Sequence, residues 1–90
     1  MEFEWDPRKA AANAKKHGVS FQEATTVFGD TMAITYPDPD HSETEHRSIT
    51  FGMSRDRRLL VVAHAHRGGK IRVITARLMT KHERKIYEEG

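Results

Sequence analysis

Apolar and polar positions along the chain change period several times, and each change marks an element. Glu2, Phe3, Glu4, Trp5 and Asp6 alternate with period two, which predicts a short strand with Phe3 and Trp5 on one face. Asp6 is a good helix N-cap and Pro7 suits the first helical position. Ala10, Ala11, Ala12 and Ala14 favour helix. Lys15, Lys16 and His17 place cations in the last turn, and Gly18 can take the left-handed conformation that ends it. A second helix follows at once. Ser20 and Glu23 have capping-box spacing, Val19 can staple against Ala24, and Phe21, Ala24, Val27 and Phe28 share one helical face up to Gly29–Asp30.

From there the period returns to two. Thr31–Pro37 is rich in strand formers and stops at proline. Residues 37–46, PDPDHSETEH, are acidic and polar and predict an exposed loop. Arg47, Ile49, Phe51 and Met53 then alternate with Ser48, Thr50, Gly52 and Ser54, a strand, and Arg55–Arg57 makes a turn. RLLVVAHAHR and KIRVITAR read as two further strands around Gly68-Gly69. Thr80 with Glu83 three residues on starts a last helix, with Ile86 and Tyr87 available for packing. The order β-α-α-β-β-β-β-α predicts one α+β domain over residues 1–90, a mostly antiparallel sheet with helices packed on it.

The Gly68-Gly69 turn sets a register for the hairpin. Arg67 then faces Lys70, His66 faces Ile71, Ala65 faces Arg72, His64 faces Val73 and Leu60 faces Arg77. Directly opposed residues share a face. Leu60, Val62, His64, His66, Ile71, Val73, Thr75 and Arg77 fall on one side. Val61, Ala63, Ala65, Arg67, Lys70, Arg72, Ile74 and Ala76 fall on the other. On that second side Arg67, Lys70 and Arg72 surround small alanines, and a phosphate could sit among them, held by bidentate arginine contacts. One bulge would swap these assignments.

Charge sharpens this picture. The net charge is only +2, but residues 1–54 hold 5 of the 15 Lys/Arg and 9 of the 13 Asp/Glu, so the C-terminal part is basic. A basic half of a small domain points to a polyanion, nucleic acid first. Composition excludes other classes. Cysteine is absent, so neither disulfides nor thiolate-bound metal can contribute. No apolar run approaches the ~20 residues of a membrane span, and the acidic N-terminus does not resemble a signal peptide. A soluble, cytoplasmic chain is expected. His64 and His66 lack a third ligand at a telling spacing, and Asp38, Asp40, His41, Glu43, Glu45 and His46 lack the pattern of a calcium loop, so no metal is expected. No serine–histidine–aspartate arrangement or phosphate-binding loop is present.

Several runs together are similar to the BrnT family of type II toxin–antitoxin toxins, within the wider RelE-like ribonuclease class. They are FEWDPRKAAANAKKHGVSF (Phe3–Phe21), VFGD (Val27–Asp30), RSITFG (Arg47–Gly52), HRGGKIRVITAR (His66–Arg77) and ERKIYEE (Glu83–Glu89). The resemblance implies a compact RelE-like domain. It also implies an endoribonuclease that cleaves RNA and halts translation and growth, needing no cofactor. Its restraint would be a BrnA-type ribbon-helix-helix antitoxin, through which the complex reaches operator DNA. Carried over by motif, Arg67, Arg72, Arg47, His17 and Glu83 are catalytic candidates. Lys9, Lys70, Arg77, Tyr87 and His64 are candidates for RNA binding. Thr75 and His66 depart from the family pattern, where serine and a polar residue such as glutamate are frequent. In such an enzyme the RNA 2′-OH is the nucleophile, and the protein positions the chain, moves protons and stabilises phosphoryl charge. Two alternatives remain from the residues themselves. One is a non-catalytic module binding RNA or a partner through the same basic face, and the other is a structural partner using the acidic loop.

Overall fold

A computed structural model describes residues 1–38 and 46–90. The acidic loop expected at 37–46 lies largely outside the described residues, including Asp40, His41, Glu43 and Glu45. The element order is β1 (Phe3–Glu4), α1 (Pro7–His17), α2 (Phe21–Thr25), a 3-10 turn (Thr26–Gly29), β2 (Ile34–Pro37), β3 (Arg47–Met53), β4 (Leu59–Arg67), β5 (Lys70–Leu78) and α3 (Lys81–Glu89). This is the α+β order read from the sequence. The second helix is shorter than its apolar stripe suggested, because its last turn tightens to 3-10 before Asp30.

The expected caps form. Asp6 accepts from the Arg8 N–H at 2.8 Å, and Gly18 closes α1 at φ 69°. The Ser20 hydroxyl accepts from the Glu23 N–H, and Thr80 with Glu83 completes a capping box on α3. Each such cap stabilises its helix by about 1 kcal/mol. Among the described residues no helix is long and apolar enough to cross a membrane.

The five strands lie in the order β1-β5-β4-β3-β2. All pairings are antiparallel except β1 with β5. One face is covered by α1, α2 and the 3-10 turn. Val19, Phe21, Ala24 and Val27 bury there against Leu60, Val62, Val73 and Ala76. Full burial of each larger side chain stabilises the fold by about 1.5–3 kcal/mol. Gly52 belongs to this face, and a Cβ on it would stand 3.0 Å from the Val27 Cβ, so glycine lets the 3-10 turn approach the sheet. Among the described residues the opposite face is covered at one end, where α3 brings Tyr87 and Ile86 onto Phe51, Val61, Leu59 and Met79.

Polar ties fix these layers. Glu23 on α2 accepts from Arg58 Nε at 2.9 Å and from the Ser54 hydroxyl at 2.7 Å, anchoring the β3–β4 turn. Asp30 accepts from the Met32 and Met53 N–H groups and from the Tyr87 hydroxyl at 2.6 Å, joining α3 to the turn before β2. At the other sheet edge β1 pairs only with Ile71 and Arg72. Beyond it the buried Asn13 amide takes over. Its Nδ2 donates to the Ala76 carbonyl at 2.8 Å and the Val19 carbonyl at 3.0 Å, and its Oδ1 accepts from the Ala76 N–H at 3.1 Å. A side-chain amide thus stands in for one peptide unit of a neighbouring strand.

Candidate functional site

The turn at Gly68-Gly69 forms as expected, with both glycines at positive φ (58° and 79°). The register predicted from it holds from Arg67–Lys70 down to His64–Val73 and then slips. Ala63 pairs with Thr75 rather than Ile74, so Ile74 is an extra residue in β5. Val62 therefore faces Ala76, Val61 faces Arg77 and Leu60 faces Leu78. This corrects the uninterrupted register: Thr75 and Arg77 move to the face of Arg67 and Arg72, and Ala76 moves under the helices.

The far face is built of cross-strand rows. Arg67 and Lys70, both exposed, form the row next to the turn. The next row runs Arg47–Ala65–Arg72–Glu4 across β3, β4, β5 and β1. With strands about 4.8 Å apart, the Arg47 and Arg72 backbones flank the buried Ala65 at roughly 10 Å. Arginines on strands so spaced can reach one phosphate from two sides. Glu4 Oε2 lies 3.7 Å from Arg72 Nη1 and closes the row. The third row runs Tyr36–Ile49–Ala63–Thr75, and the fourth ends in Val61–Arg77 under α3.

Arg77 is held rather than free. Its two guanidinium nitrogens donate to the two Glu83 carboxylate oxygens at 2.7 and 2.8 Å. The Arg77 guanidinium, helped by the Thr80 N–H and opposed by burial, holds the Glu83 carboxyl down at about 2. Tyr87 is committed too. Burial, then its hydrogen bond to Asp30, pushes the phenol up to about 12.

A face of four arginines on a rigid sheet suits a polyanionic substrate, and comparison with known proteins identifies the family. The family model for the ribonuclease toxin BrnT of type II toxin–antitoxin systems matches residues 5–83. The chain belongs to the BrnT family. The fold is similar to that of the crystal structure of the Brucella abortus ribonuclease toxin BrnT, with a TM-score of 0.71 at 21% identity, over 90% of this chain and 99% of that one. Among curated proteins no relative matches.

The candidate residues separate into four places. Arg47, Arg67, Lys70, Arg72 and Arg77 share the far face. Glu83 and Tyr87 sit at its covered end, one clamping Arg77 and the other latching α3. Lys9 and His17 lie on the far side of the β5 edge, in a cleft with Ala12, Asn13, Lys16, Ile74 and Thr75. His64 lies on the helix-covered face, only 2% exposed. Its Nε2 is 2.7 Å from the Thr50 hydroxyl and its ring packs edge-on against Phe28 at 4.9 Å. Burial, with the neighbouring His66 adding repulsion, lowers its pKa to about 4. His64 is therefore a neutral core histidine and does not reach the arginines, which corrects its assignment to RNA contact.

Two residues of consequence escaped the sequence reading. Asn13 shares the inward stripe of α1 with Ala10 and His17, and an amide on such a stripe is the signal of a buried polar tie. Glu4 reaches the arginine row only through the parallel β1–β5 pairing, which its local pattern does not announce.

Proposed function

We propose that this BrnT-family toxin is an endoribonuclease whose reaction centre is the Arg47–Ala65–Arg72–Glu4 row, with Arg67 and Lys70 beside it. The observation that carries the reading is the convergence of Arg47, Arg67, Arg72 and Arg77 on one sheet face, completed by the bulge at Ile74. The RNA 2′-OH gives up its proton and attacks the adjacent phosphorus, and the bond to the 5′-oxygen breaks as that oxygen takes a proton from water. The products are a 2′,3′-cyclic phosphate and a 5′-hydroxyl end. Charge builds on the phosphoryl oxygens in the transition state, and guanidinium groups fixed on strands stabilise it without reorganising. Glu4 is the carboxylate in the row and is placed to accept the 2′-OH proton. Glu83 serves by positioning Arg77, since both its oxygens are occupied. Arginine supplies the charge that a metal ion would otherwise provide, so the reaction runs in chelator. A BrnA-type antitoxin restrains the toxin, and operator DNA is reached only through that complex.

The test is cleavage of a defined RNA by purified protein in EDTA, alone and with ribosomes. The parent yields cyclic-phosphate ends. Arg67→Ala and Arg72→Ala each lose 10²–10³-fold in kcat, about 3–4 kcal/mol in the barrier. Glu4→Gln loses kcat with KM retained. Intact RNA under both conditions refutes the ribonuclease reading, and RNA binding that persists without cleavage leaves a non-catalytic RNA-binding module.

A further inference from the structure

The cleft between α1 and β5 is a second feature of the surface that the reaction centre does not use. It holds ≈ 280 Å³ and is lined by Lys9, Ala12, Asn13, Lys16, His17, Ile74 and Thr75. Its chemistry is graded. Ala12 and Ile74 contribute apolar surface. Lys9 lies two turns before Lys16 and His17 on α1, all three are potential hydrogen-bond donors to a phosphate, and Thr75 adds a hydroxyl. The Asn13 amide is spent on Val19 and Ala76, so it shapes the wall and does not offer a recognition group.

The cleft exists for a definable reason. β1 covers β5 only at Ile71 and Arg72, and α1 is tied back to the strand at Ala76. Between these anchors β5 carries its extra residue, Ile74, and the edge is left to the cleft. Thr75 belongs both to the cleft and to the far-face row Ile49–Ala63–Thr75. It stands three residues along the strand from Arg72, roughly 10 Å. A chain lying on the arginine row can therefore pass over the β5 edge at Thr75 and enter the cleft within a short length.

We infer that the α1–β5 cleft is a subsite for single-stranded RNA flanking the cleaved bond, taking one nucleotide. Its base and ribose rest on Ala12 and Ile74, and its phosphate meets Lys9, Lys16 and His17. The inference rests on the ribonuclease reading for its place in the reaction, but its binding content is separable. An apolar floor with a cationic rim discriminates a nucleotide from a bare anion, which would find its charge partners without using the floor. In this arrangement His17 and Lys9 bind substrate and take no part in proton transfer, which separates them from the arginines.

The experiment uses the full chain and fluorescent oligoribonucleotides of several lengths, with a 2′-deoxy sugar at the cleavage position to block reaction. Four proteins are compared: parent, Lys9→Ala/Lys16→Ala, Ala12→Phe, and Lys81→Ala/Lys85→Ala. The last removes the same charge from α3 and controls for net charge. The cleft lysines and Ala12 are exposed, so folding is retained, and thermal melting verifies it. The expected result is a roughly tenfold or greater rise in Kd for long oligonucleotides with the cleft double variant. Its slope of log K against log salt falls by about 0.7 for each phosphate that the variant no longer neutralises. Ala12→Phe weakens long oligonucleotides without altering that slope as strongly, and a dinucleotide is bound equally by all four. On cleavable RNA the cleft variants raise KM and leave kcat within twofold. Equal weakening by the α3 control overturns the inference, as does parent-like binding by the cleft variants or a kcat loss at unchanged KM. A parent that binds long RNA in this pattern but never cleaves it sinks the ribonuclease reading and leaves the subsite standing.

Discussion

Replacing Asn13 tests the fold where it matters most for the site. Asn13→Ala strands the Val19 carbonyl, the Ala76 carbonyl and the Ala76 N–H, all of which it now satisfies. An unsatisfied buried group costs about 1–3 kcal/mol, and three of them set an upper range of roughly 3–9 kcal/mol. The adjoining cleft admits water to the vacated volume and returns part of that loss, which places the expected cost at about 3 kcal/mol. For a chain of this size that is a fall of roughly 12–24 °C in Tm. Asn13→Asp is the sharper variant because it keeps the shape. It retains an acceptor for the Ala76 N–H but sets a carboxylate oxygen where Nδ2 stood, 2.8 and 3.0 Å from two carbonyl oxygens. Loss of two donors, plus a charge in a buried position, makes it worse than alanine by at least about 1 kcal/mol.

Urea unfolding followed by circular dichroism at pH 7 measures both variants. The aspartate deficit must shrink on acidification. Burial against carbonyls raises its pKa, so its penalty is complete above the folded pKa and relieved as pH falls through it. An Asn13→Asp protein as stable as the parent, or more stable than Asn13→Ala, refutes the reading of Asn13 as a surrogate strand. A stable Asn13→Ala protein that has also lost cleavage would point to Asn13 in direct RNA contact.

Two further outcomes are expected. Glu83 has its carboxyl held at about 2 by Arg77 against an ordinary value of 4.5, so its stabilisation is present above pH 4.5 and is lost as pH falls towards 2. Glu83→Gln should therefore flatten the decline of the urea midpoint between those values, and a variant that tracks the parent in parallel through that window contradicts the pairing. Gly52→Ala drives a Cβ to 3.0 Å from Val27 Cβ and 3.3 Å from both Ala33 Cβ and the Val27 carbonyl oxygen, and should destabilise by about 1–3 kcal/mol in the same unfolding assay. A neutral result would mean that the 3-10 turn is free to move off the sheet.

Most of the fold was legible because local chemistry and tertiary packing agree. Asp6 and Gly18 bound α1, Ser20 caps α2, and the alternation of Arg47, Ile49, Phe51 and Met53 is the alternation of β3 between faces. The bulge escaped the register argument because a turn fixes only the pairs nearest it. Its signal was nevertheless present. Along β5 the apolar phase runs Ile71, Val73 and then Ile74, Ala76, Leu78, a slip of one marked by two adjacent β-branched residues. An uninterrupted register would turn Arg77 into the core layer with Leu60 and Val62, at a cost of several kcal/mol for a buried charge. The extra residue instead brings Ala76 under the helices and Arg77 out. Glu4 and Asn13 were harder to place, since both act on β5 across long sequence separations.

The same geometry ranks the arginines for phosphate. Like charges on one face repel, and each carboxylate that relieves the repulsion also competes with the substrate for its guanidinium. Arg77 is clamped through both nitrogens by Glu83, so a phosphate can win little of its fork geometry. Arg72 meets Glu4 at 3.7 Å, beyond good hydrogen-bond length, and keeps most of its donors available. Arg67 is exposed and has no ion-pair partner among the described residues. Of these three, Arg72 and Arg67 should take most of the substrate charge, with Arg77 setting the position of α3 at the edge of the site. Charge removal separates these roles: Glu83→Gln should free Arg77 for RNA while loosening α3, and Arg77→Ala should cost stability before it costs catalysis.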